Sequence, residues 1–322
     1  MITTRDLGQR PSWPRSGSRH LASHPVRRER PRRTIRRVSR NPLPALVLAL
    51  FAIFFVLPVL WLVLAATKTG DQLVDGSPLS FGSWHALRAN WDALTRYQGD
   101  VMFLWLRNSA VYSFLALAIT LATVIPAGYA LAMTEFRGRR ALLIATLVVM
   151  VMPNTTLVVP LFLEINAVHL IGSMWSIILP YAFYPFGVYL AYIYYSTTLP
   201  KELLEAARLD GCSEFGAFRR VALPLAAPIA ALIGFFSFVA NWTNYYLPYV
   251  LLPESNQLPV QVGLGILAVP RPELALATLV AITPALVVFL FCQRFLVTGV
   301  LGDLRDVPAS AAAGRSAGNQ RR

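Results

Sequence analysis

The sequence has few of the residues that enzymes use for chemistry. Its two cysteines and four histidines are scattered through 322 residues, and their spacing matches neither a metal site nor a disulfide framework. The phosphate-binding motif G-x-x-x-x-G-K-[ST] does not occur. No serine, histidine and aspartate are placed so that they would lie at the same depth in a membrane and form a catalytic triad. We therefore predict no catalytic residue, no metal and no cofactor.

Charged residues are also scarce. They make up 14% of the chain, against 56% hydrophobic residues and a mean hydropathy of +0.53, which is typical of a polytopic membrane protein. About 20 helical residues cross a hydrocarbon core of roughly 30 Å. We predict an all-α polytopic membrane protein with six transmembrane helices, one in each uncharged run. These runs lie at about 43–66, 108–134, 141–163, 170–200, 221–253 and 274–293.

Basic residues are concentrated on one side of the predicted membrane domain. Twelve arginines fall in residues 1–40, and more lie in the polar segment 200–224, whereas the loop after the third run has no lysine or arginine. The positive-inside rule then puts both termini and residues 200–224 in the cytoplasm. We predict a disordered basic cytoplasmic tail over 1–40, a membrane domain over 41–302 and a flexible cytoplasmic tail over 303–322.

The basic leader allows three interpretations. An arm that binds nucleic acid would interleave aromatic and basic residues, but Trp13 is its only aromatic residue. A twin-arginine export signal at Arg36-Arg37 would need a shorter apolar run than the one that follows. We favour a solvated tail that fixes the orientation of the first span and contacts anionic membrane lipid, with no nucleic-acid partner.

One polar segment interrupts the apolar C-terminal half, at 200–224. Within it, Gly211 suits the left-handed turn that ends a helix, and Ser213 can cap a second short helix. Ala206 and Ala207 form a small-residue patch where another backbone could approach closely. The pattern is that of a docking element, and the alternative is an amphipathic helix pair beside the membrane.

The spacing of this segment resembles the EAA loop of the membrane subunits of bacterial ABC importers. It reads E-A-A-x3-G-x9-V-x-L-P, with Val221 where the family usually has isoleucine. The resemblance extends over about 43–302 and is strongest to the six-span permease subunits of carbohydrate importers, which carry maltose, other oligosaccharides or glycerol phosphate. Asn108-Ser109 and Pro185-Phe186-Gly187 are similar to that subfamily. The resemblance implies a type I ABC importer permease fold in a bacterial plasma (inner) membrane.

The resemblance also implies a function and its partners. The chain would be the transmembrane permease subunit of an ATP-binding cassette sugar importer, forming half of the translocation pathway. It would assemble with a second permease subunit, a cytoplasmic ABC ATPase dimer and an extracytoplasmic sugar-binding protein. ATP hydrolysis would belong to the ATPase chain, so this chain would not be an enzyme. The residues expected to couple to the ATPase are Glu205, Ala206, Ala207, Asp210, Gly211, Leu223 and Pro224.

The fifth apolar run contains a polar patch. The family usually shows W-N-[DE]-F here, and this chain has Asn241-Trp242-Thr243-Asn244, with an amide in place of the acid. Buried amides at membrane depth face other helices or a wet cavity. Because an amide can both donate and accept, and an indole packs on a sugar ring, Asn241, Trp242 and Asn244 are candidates for the sugar substrate path. Interhelical packing or an aromatic belt is the equal alternative.

Two other functional classes compete with a permease. An ion-coupled secondary transporter would normally bury charged residues within its spans, but the six runs contain no Asp, Glu, Lys or Arg. A non-transport membrane protein that docks a cytoplasmic partner is also compatible with residues 200–224. The stretches that resemble sugar permeases outside this segment favour the permease.

Overall fold

The computed structural model describes residues 42–305. The predicted tail 1–40 and most of the predicted tail 303–322 therefore lie outside the described residues. The chain divides into two compact units after Phe51, within the first helix. The first unit contributes only 42–51, the first part of α1, to the described residues, and the packing and sites described below belong to the second unit, from Ala52 onward.

The described residues are helical and contain no β-strand. Short 3₁₀ turns cover Asn154–Leu157 and Ser255–Gln257, and a π-helical turn covers Phe218–Ala222. The α-helices, in chain order, are α1 (Pro42–Ala65), α2 (Gly70–Asp75), α3 (Trp84–Arg96), α4 (Val101–Met133), α5 (Arg139–Val151), α6 (Val158–Ala167), α7 (Trp175–Ala182), α8 (Pro185–Thr198), α9 (Lys201–Leu209), α10 (Glu214–Ala217), α11 (Leu223–Leu225), α12 (Ala227–Trp242), α13 (Tyr246–Leu251), α14 (Val260–Ile266) and α15 (Arg271–Arg305).

The apolar runs predicted from the sequence coincide with helices of membrane-spanning length. Between residues 42 and 305, four helical stretches are long and apolar enough to cross a bilayer: α1, α4, Trp175–Thr198 (α7 followed by α8), and Arg271–Gln293 of α15. Two helix pairs also qualify when each is taken together: α5 with α6, bent by 100°, and Glu214–Leu225 with α12, bent by 73°. The second pair begins within the polar segment 200–224, ahead of the predicted run 221–253. The number of spans is six if each bent pair crosses once, and this count stays a prediction.

Prolines explain the two bends. Pro153 separates α5 from α6 and holds an extended backbone, with φ −62° and ψ 129°. Pro228 lies in the first turn of α12, where a missing amide hydrogen costs nothing within that helix. Composition predicted the apolar runs, but a run of apolar residues does not show where a helix bends.

Two hydrophobic clusters hold the helices together, and α4 contributes to both. The cluster beside the segment 255–260, called the loop-side cluster below, includes Leu94, Trp105, Ile178, Phe238, Trp242, Leu251, Val260 and Ala277. The cluster beside the polar segment 200–224, called the finger-side cluster below, includes Val124, Tyr129, Ala191, Tyr195, Leu204, Ala207, Ala217, Ala222 and Ile233. The first half of α4 therefore packs with the chain around α12 to α15, and its second half packs with α8 and residues 200–224.

A close approach of two helix backbones lies in the finger-side cluster. A Cβ atom on Gly128 of α4 would lie 2.3 Å from the Cβ of Ala191 on α8, and 2.9 Å from the backbone carbonyl carbon of Ala191. Only glycine therefore fits at this crossing. Small residues at a helix crossing allow close backbone approach in membranes, and here they join α4 and α8.

Candidate functional site

The first candidate site is the segment 200–224, called the finger below. Its helix α9 is amphipathic, with Leu204 and Ala207 buried in the finger-side cluster and Glu205 and Ala206 exposed. This corrects one expectation, because Ala207 was predicted to form a docking patch together with Ala206. Residues three apart share a helix face and adjacent residues differ by about 100°, so Ala207 points inward beside Leu204 and only Ala206 remains on the surface.

The turn of the finger has the conformation predicted from its sequence. Gly211 has φ +83°. The amide of Gly211 donates to the carbonyl of Arg208 and the amide of Cys212 to that of Ala207, both at 3.0 Å, which is a Schellman motif. The hydroxyl of Ser213 then accepts from the amide of Gly216 at 3.1 Å, capping α10. Both local predictions are confirmed.

An ion pair that was not predicted from the sequence bridges the turn. Nε of Arg208 donates to Oε1 of Glu214 at 2.7 Å, and Nη2 donates to Oε2 at 3.1 Å. These hydrogen bonds lower the pKa of the Glu214 carboxyl and raise the pKa of the Arg208 guanidinium. The sequence feature that could have predicted this pair is the presence of opposite charges on either side of Gly211, the glycine that ends α9. The pair is exposed, so it contributes little to stability, and it links α9 to α10 across the turn.

The outer surface of the finger is partly apolar. Leu209 is 89% exposed and Phe215 is 71% exposed. The predicted coupling residues Glu205, Asp210, Leu223 and Pro224 are also on the surface. A cavity of about 470 Å³ adjoins α9 and is lined by Glu205, Arg208 and Glu214, among others. The finger therefore presents apolar side chains next to free carboxylates, which suits protein contact more than lipid contact.

The second candidate site is a cavity of about 440 Å³ that Asn241 and Asn244 line together. Asn244 is 7% exposed, and its Nδ2 has no hydrogen-bond partner among residues 42–305. Nδ2 of Asn241 donates to the carbonyl of Ser237 at 2.8 Å. An unpaired buried donor is unfavourable unless another group satisfies it. The aromatic and polar residues that complete the lining include Thr155, Tyr181, Tyr184, Phe186 and Tyr246.

Trp242 does not join the two asparagines. Its Nε1 donates to the carbonyl of Ala281 on α15 at 2.9 Å, and its ring stacks on Phe238 with centroids 5.5 Å apart. Trp242 is buried in the loop-side cluster. The structure therefore places it in interhelical packing, the alternative interpretation, and away from the cavity. Asn241 is near the end of α12 and Asn244 is in the turn that follows it, where the backbone amide of Asn244 donates to the carbonyl of Asn241 at 3.2 Å.

The helices, the finger and the cavity define a polytopic helical membrane protein whose surface finger is tied into its core. Residues 124–301 match the model of the family described as binding-protein-dependent transport system inner membrane component. The chain belongs to this family. The matched region contains the close contact between α4 and α8, the finger and the polar cavity.

Named relatives cover most of the chain. The arabinooligosaccharides transport system permease protein AraQ of Halalkalibacterium halodurans is 30% identical, over 78% of this chain and 91% of the relative. The sulfoquinovosyl glycerol transport system permease protein SmoH of Agrobacterium fabrum is 29% identical, over 81% and 93%. These similarities confirm the predicted resemblance to ABC importer permeases.

A solved structure shares the fold. It is a bacterial ABC transporter involved in the import of the acidic polysaccharide alginate, with a TM-score of 0.70 and 20% sequence identity. The alignment covers 78% of this chain and 94% of the solved chain. The predicted all-α permease fold is therefore confirmed.

Proposed function

We propose that this chain forms half of the translocation pathway of a sugar importer and that the finger couples this pathway to a cytoplasmic ABC ATPase dimer. The observation that carries the proposal is the finger itself, in which the family's E-A-A-x3-G spacing lies on an ordered, exposed helix pair. The partners are a second permease subunit and an extracytoplasmic sugar-binding protein. Relatives named for arabinooligosaccharides, sulfoquinovosyl glycerol and lactose support a carbohydrate substrate.

The proposed orientation places the finger in the cytoplasm. Arginines and lysines cluster in residues 1–40 and in the finger, so the positive-inside rule supports cytoplasmic termini. Residues 1–40 and 303–322 are then tails on the ATPase side of a bacterial inner membrane. The cavity lined by Asn241 and Asn244 lies within the membrane domain of 41–302.

The exposed residues of the finger form the proposed ATPase contact. Leu209 and Phe215 would bury apolar surface on the ATPase, at about 25 cal/mol per Å² removed from water. Ala206 leaves room for a close approach, and Glu205 and Asp210 add charge at the edge of the contact. Gly211 and the ion pair of Arg208 set the relative direction of the two limbs, so the finger can move as one body.

The coupling proposal is tested with two neighbouring alanines of α9. Ala206→Glu adds bulk and charge to an exposed position, so we expect loss of ATPase co-purification and of sugar uptake, with an unchanged melting temperature. Ala207→Glu is the matched control, because it buries the same charge in the finger-side cluster and should instead lower the melting temperature. Full ATPase recovery and full uptake with Ala206→Glu would contradict the proposal.

The polar cavity is the proposed substrate contact of this chain. Its volume of about 440 Å³ lies within the usual range for small-molecule sites. The free amide of Asn244 can donate to a sugar hydroxyl, and the rings of Tyr181 and Tyr184 offer faces on which a sugar can pack. Each of these groups matches a different part of a carbohydrate surface.

Substitution of Asn244 tests this part of the proposal. Asn244→Ala removes the unpaired donor, and we expect an increase in the KM for uptake of about fivefold to tenfold, as one lost hydrogen bond predicts. Thr243→Ala is the matched control, because the Thr243 hydroxyl is exposed and donates to the carbonyl of Val239. Uptake kinetics of radiolabelled arabino-oligosaccharide and lactose in cells provide the measurement. If Asn244→Ala has the same KM as the control Thr243→Ala, the substrate does not bind through the amide of Asn244.

A further inference from the structure

The finger joins α12 through an irregular stretch of helix. The π-helical turn Phe218–Ala222 leads into α11, and the chain then bends by 73° into α12. Pro224 and Pro228 flank the bend, and neither has an amide hydrogen to donate. Sharp bends at prolines and at π-helical turns are the usual sites where a helix can change direction.

Two adjacent tyrosines of α8 form hydrogen bonds with this stretch, residues 218–228, which is called the joint below. The hydroxyl of Tyr194 donates to the carbonyl of Leu225 at 2.6 Å, and the hydroxyl of Tyr195 donates to the carbonyl of Ala222 at 3.4 Å. The first is a short, strong bond and the second is longer and weaker. Tyr195 is fully buried and Tyr194 is half-buried. The two acceptors lie at either end of α11.

A third tyrosine connects the same joint to α4. The ring of Tyr129 lies edge-on to Tyr195, with centroids 5.5 Å apart, and 4.9 Å from the ring of Phe218 in the π-helical turn. The next residue back along α4 is Gly128, which makes the close contact with α8. The joint is therefore packed against α4 and α8 together.

We propose that Tyr194 and Tyr195 are positioning residues that carry the displacement of the finger to α8 and α4. The proposal rests on the proposed role of the finger. Because the two hydroxyls hold carbonyls at both ends of α11, the finger cannot turn about α11 without breaking a hydrogen bond or moving α8. The close contact between α4 and α8 then moves both helices, and α8 contributes to the lining of the polar cavity.

A purely structural role would give a different result from a transmitting role. If the hydroxyls only satisfied carbonyls at a bend, their loss would lower stability and leave the response to nucleotide unchanged. If they transmit movement, their loss leaves assembly intact and weakens the link between ATPase closure and cavity access. The readout must therefore follow the cavity while the ATPase is bound.

The experiment uses the purified complete transporter and a cysteine reporter in the cavity. Cys212→Ser and Cys292→Ser remove the native thiols, and Thr155→Cys places a new thiol in the cavity lining. Its labelling rate with a methanethiosulfonate reagent is measured with and without ATP and vanadate. Tyr194→Phe and the double variant with Tyr195→Phe remove the hydroxyls and retain the rings.

We expect the nucleotide-dependent change in labelling rate to fall about fivefold in the double variant, and less in Tyr194→Phe, as the loss of one or two hydrogen bonds predicts. ATPase co-purification should be unchanged. Tyr192→Phe is the control, because the Tyr192 hydroxyl makes no hydrogen bond within the described part of the chain.

Three results would overturn the proposal. A normal nucleotide response in the double variant would show that the hydroxyls transmit nothing. A reduced response together with loss of the ATPase would assign them a structural role only. If the Thr155→Cys protein that retains both tyrosines binds no ATPase, the proposed function of the finger is wrong. The role proposed for Tyr194 and Tyr195 would then be wrong as well.

Discussion

The loop-side and finger-side clusters are built from different kinds of contact. In the loop-side cluster, polar side chains on one face of α4 hold the backbone of residues 255–260. The bonds are Trp105 Nε1 to Ser255 O and Asn108 Nδ2 to Asn256 O, both 2.8 Å, Tyr112 Oη to Gln257 O at 2.9 Å, and Val260 N to Ser109 Oγ at 2.8 Å. In the finger-side cluster, close packing of small residues and the hydroxyls of Tyr194 and Tyr195 make the corresponding links.

This difference indicates which end of the molecule can rearrange. Four bonds between segments about 150 residues apart fix the loop-side cluster in one arrangement. The finger-side cluster is linked by two tyrosine hydroxyls and includes a π-helical turn, which is a usual feature of a joint in a helix. Asn108 and Ser109, which resemble a carbohydrate-permease motif, thus contribute to the fixed end.

The largest expected effect comes from breaking the fixed end. Trp105 is 2% exposed, and a Cβ on Gly263 would lie 2.1 Å from its ring. Trp105→Ala should therefore lower the free energy of unfolding by about 3–5 kcal/mol and greatly reduce the amount of protein in the membrane. Thermal unfolding in detergent is the measurement. Trp84→Ala is the control, since Trp84 is 74% exposed.

A smaller effect is expected at the movable end, from Gly128→Val. The added side chain would push α4 from α8, at a cost of about 1–3 kcal/mol. We expect the protein to insert, the ATPase to bind and transport to be lost, because the two helices no longer move together. Gly70→Ala should behave as wild type, since a Cβ there meets no atom within 4 Å. If Gly128→Val and Trp105→Ala reduce the amount of protein in the membrane equally, the proposal that only the finger-side cluster can rearrange would be contradicted.

The smallest expected effect is the pH dependence of the Arg208–Glu214 ion pair. The pKa of Glu214 is lowered in the folded protein, so its contribution to stability is complete above the ordinary carboxyl pKa of about 4.3. It is lost as pH falls through the lowered folded pKa. The melting temperature of wild type minus that of Glu214→Gln should shrink toward zero below about pH 4. A pH-independent difference for Glu214→Gln would exclude a contribution of the ion pair to stability.

Local features of the fold could be predicted from the sequence. The apolar runs indicated where the long apolar helices lie, although not where they bend, and the positive φ of Gly211 and the cap at Ser213 follow from neighbouring residues. Such features depend on a few consecutive side chains, so pattern and turn chemistry are sufficient to predict them.

Features that join distant segments could not be predicted in the same way. The bond from Trp242 to Ala281 depends on which helix lies alongside α12. The bonds from α4 to residues 255–260 cross about 150 residues of chain. Within the candidate cavity, Asn241 and Asn244 lie close together because the chain turns at the end of α12, whereas the contribution of Tyr181 and Tyr184 requires the packed helices.

The contact between Gly128 and Ala191 has a consequence for how this protein can change over evolutionary time. Since only a methyl group separates the two backbones, neither position can gain volume unless the other loses it. Ala191 can lose volume only by becoming glycine, so the route to a larger residue at position 128 passes through an intermediate with glycine at both positions. We expect the two positions to covary among related sequences, with a nearly constant summed side-chain volume.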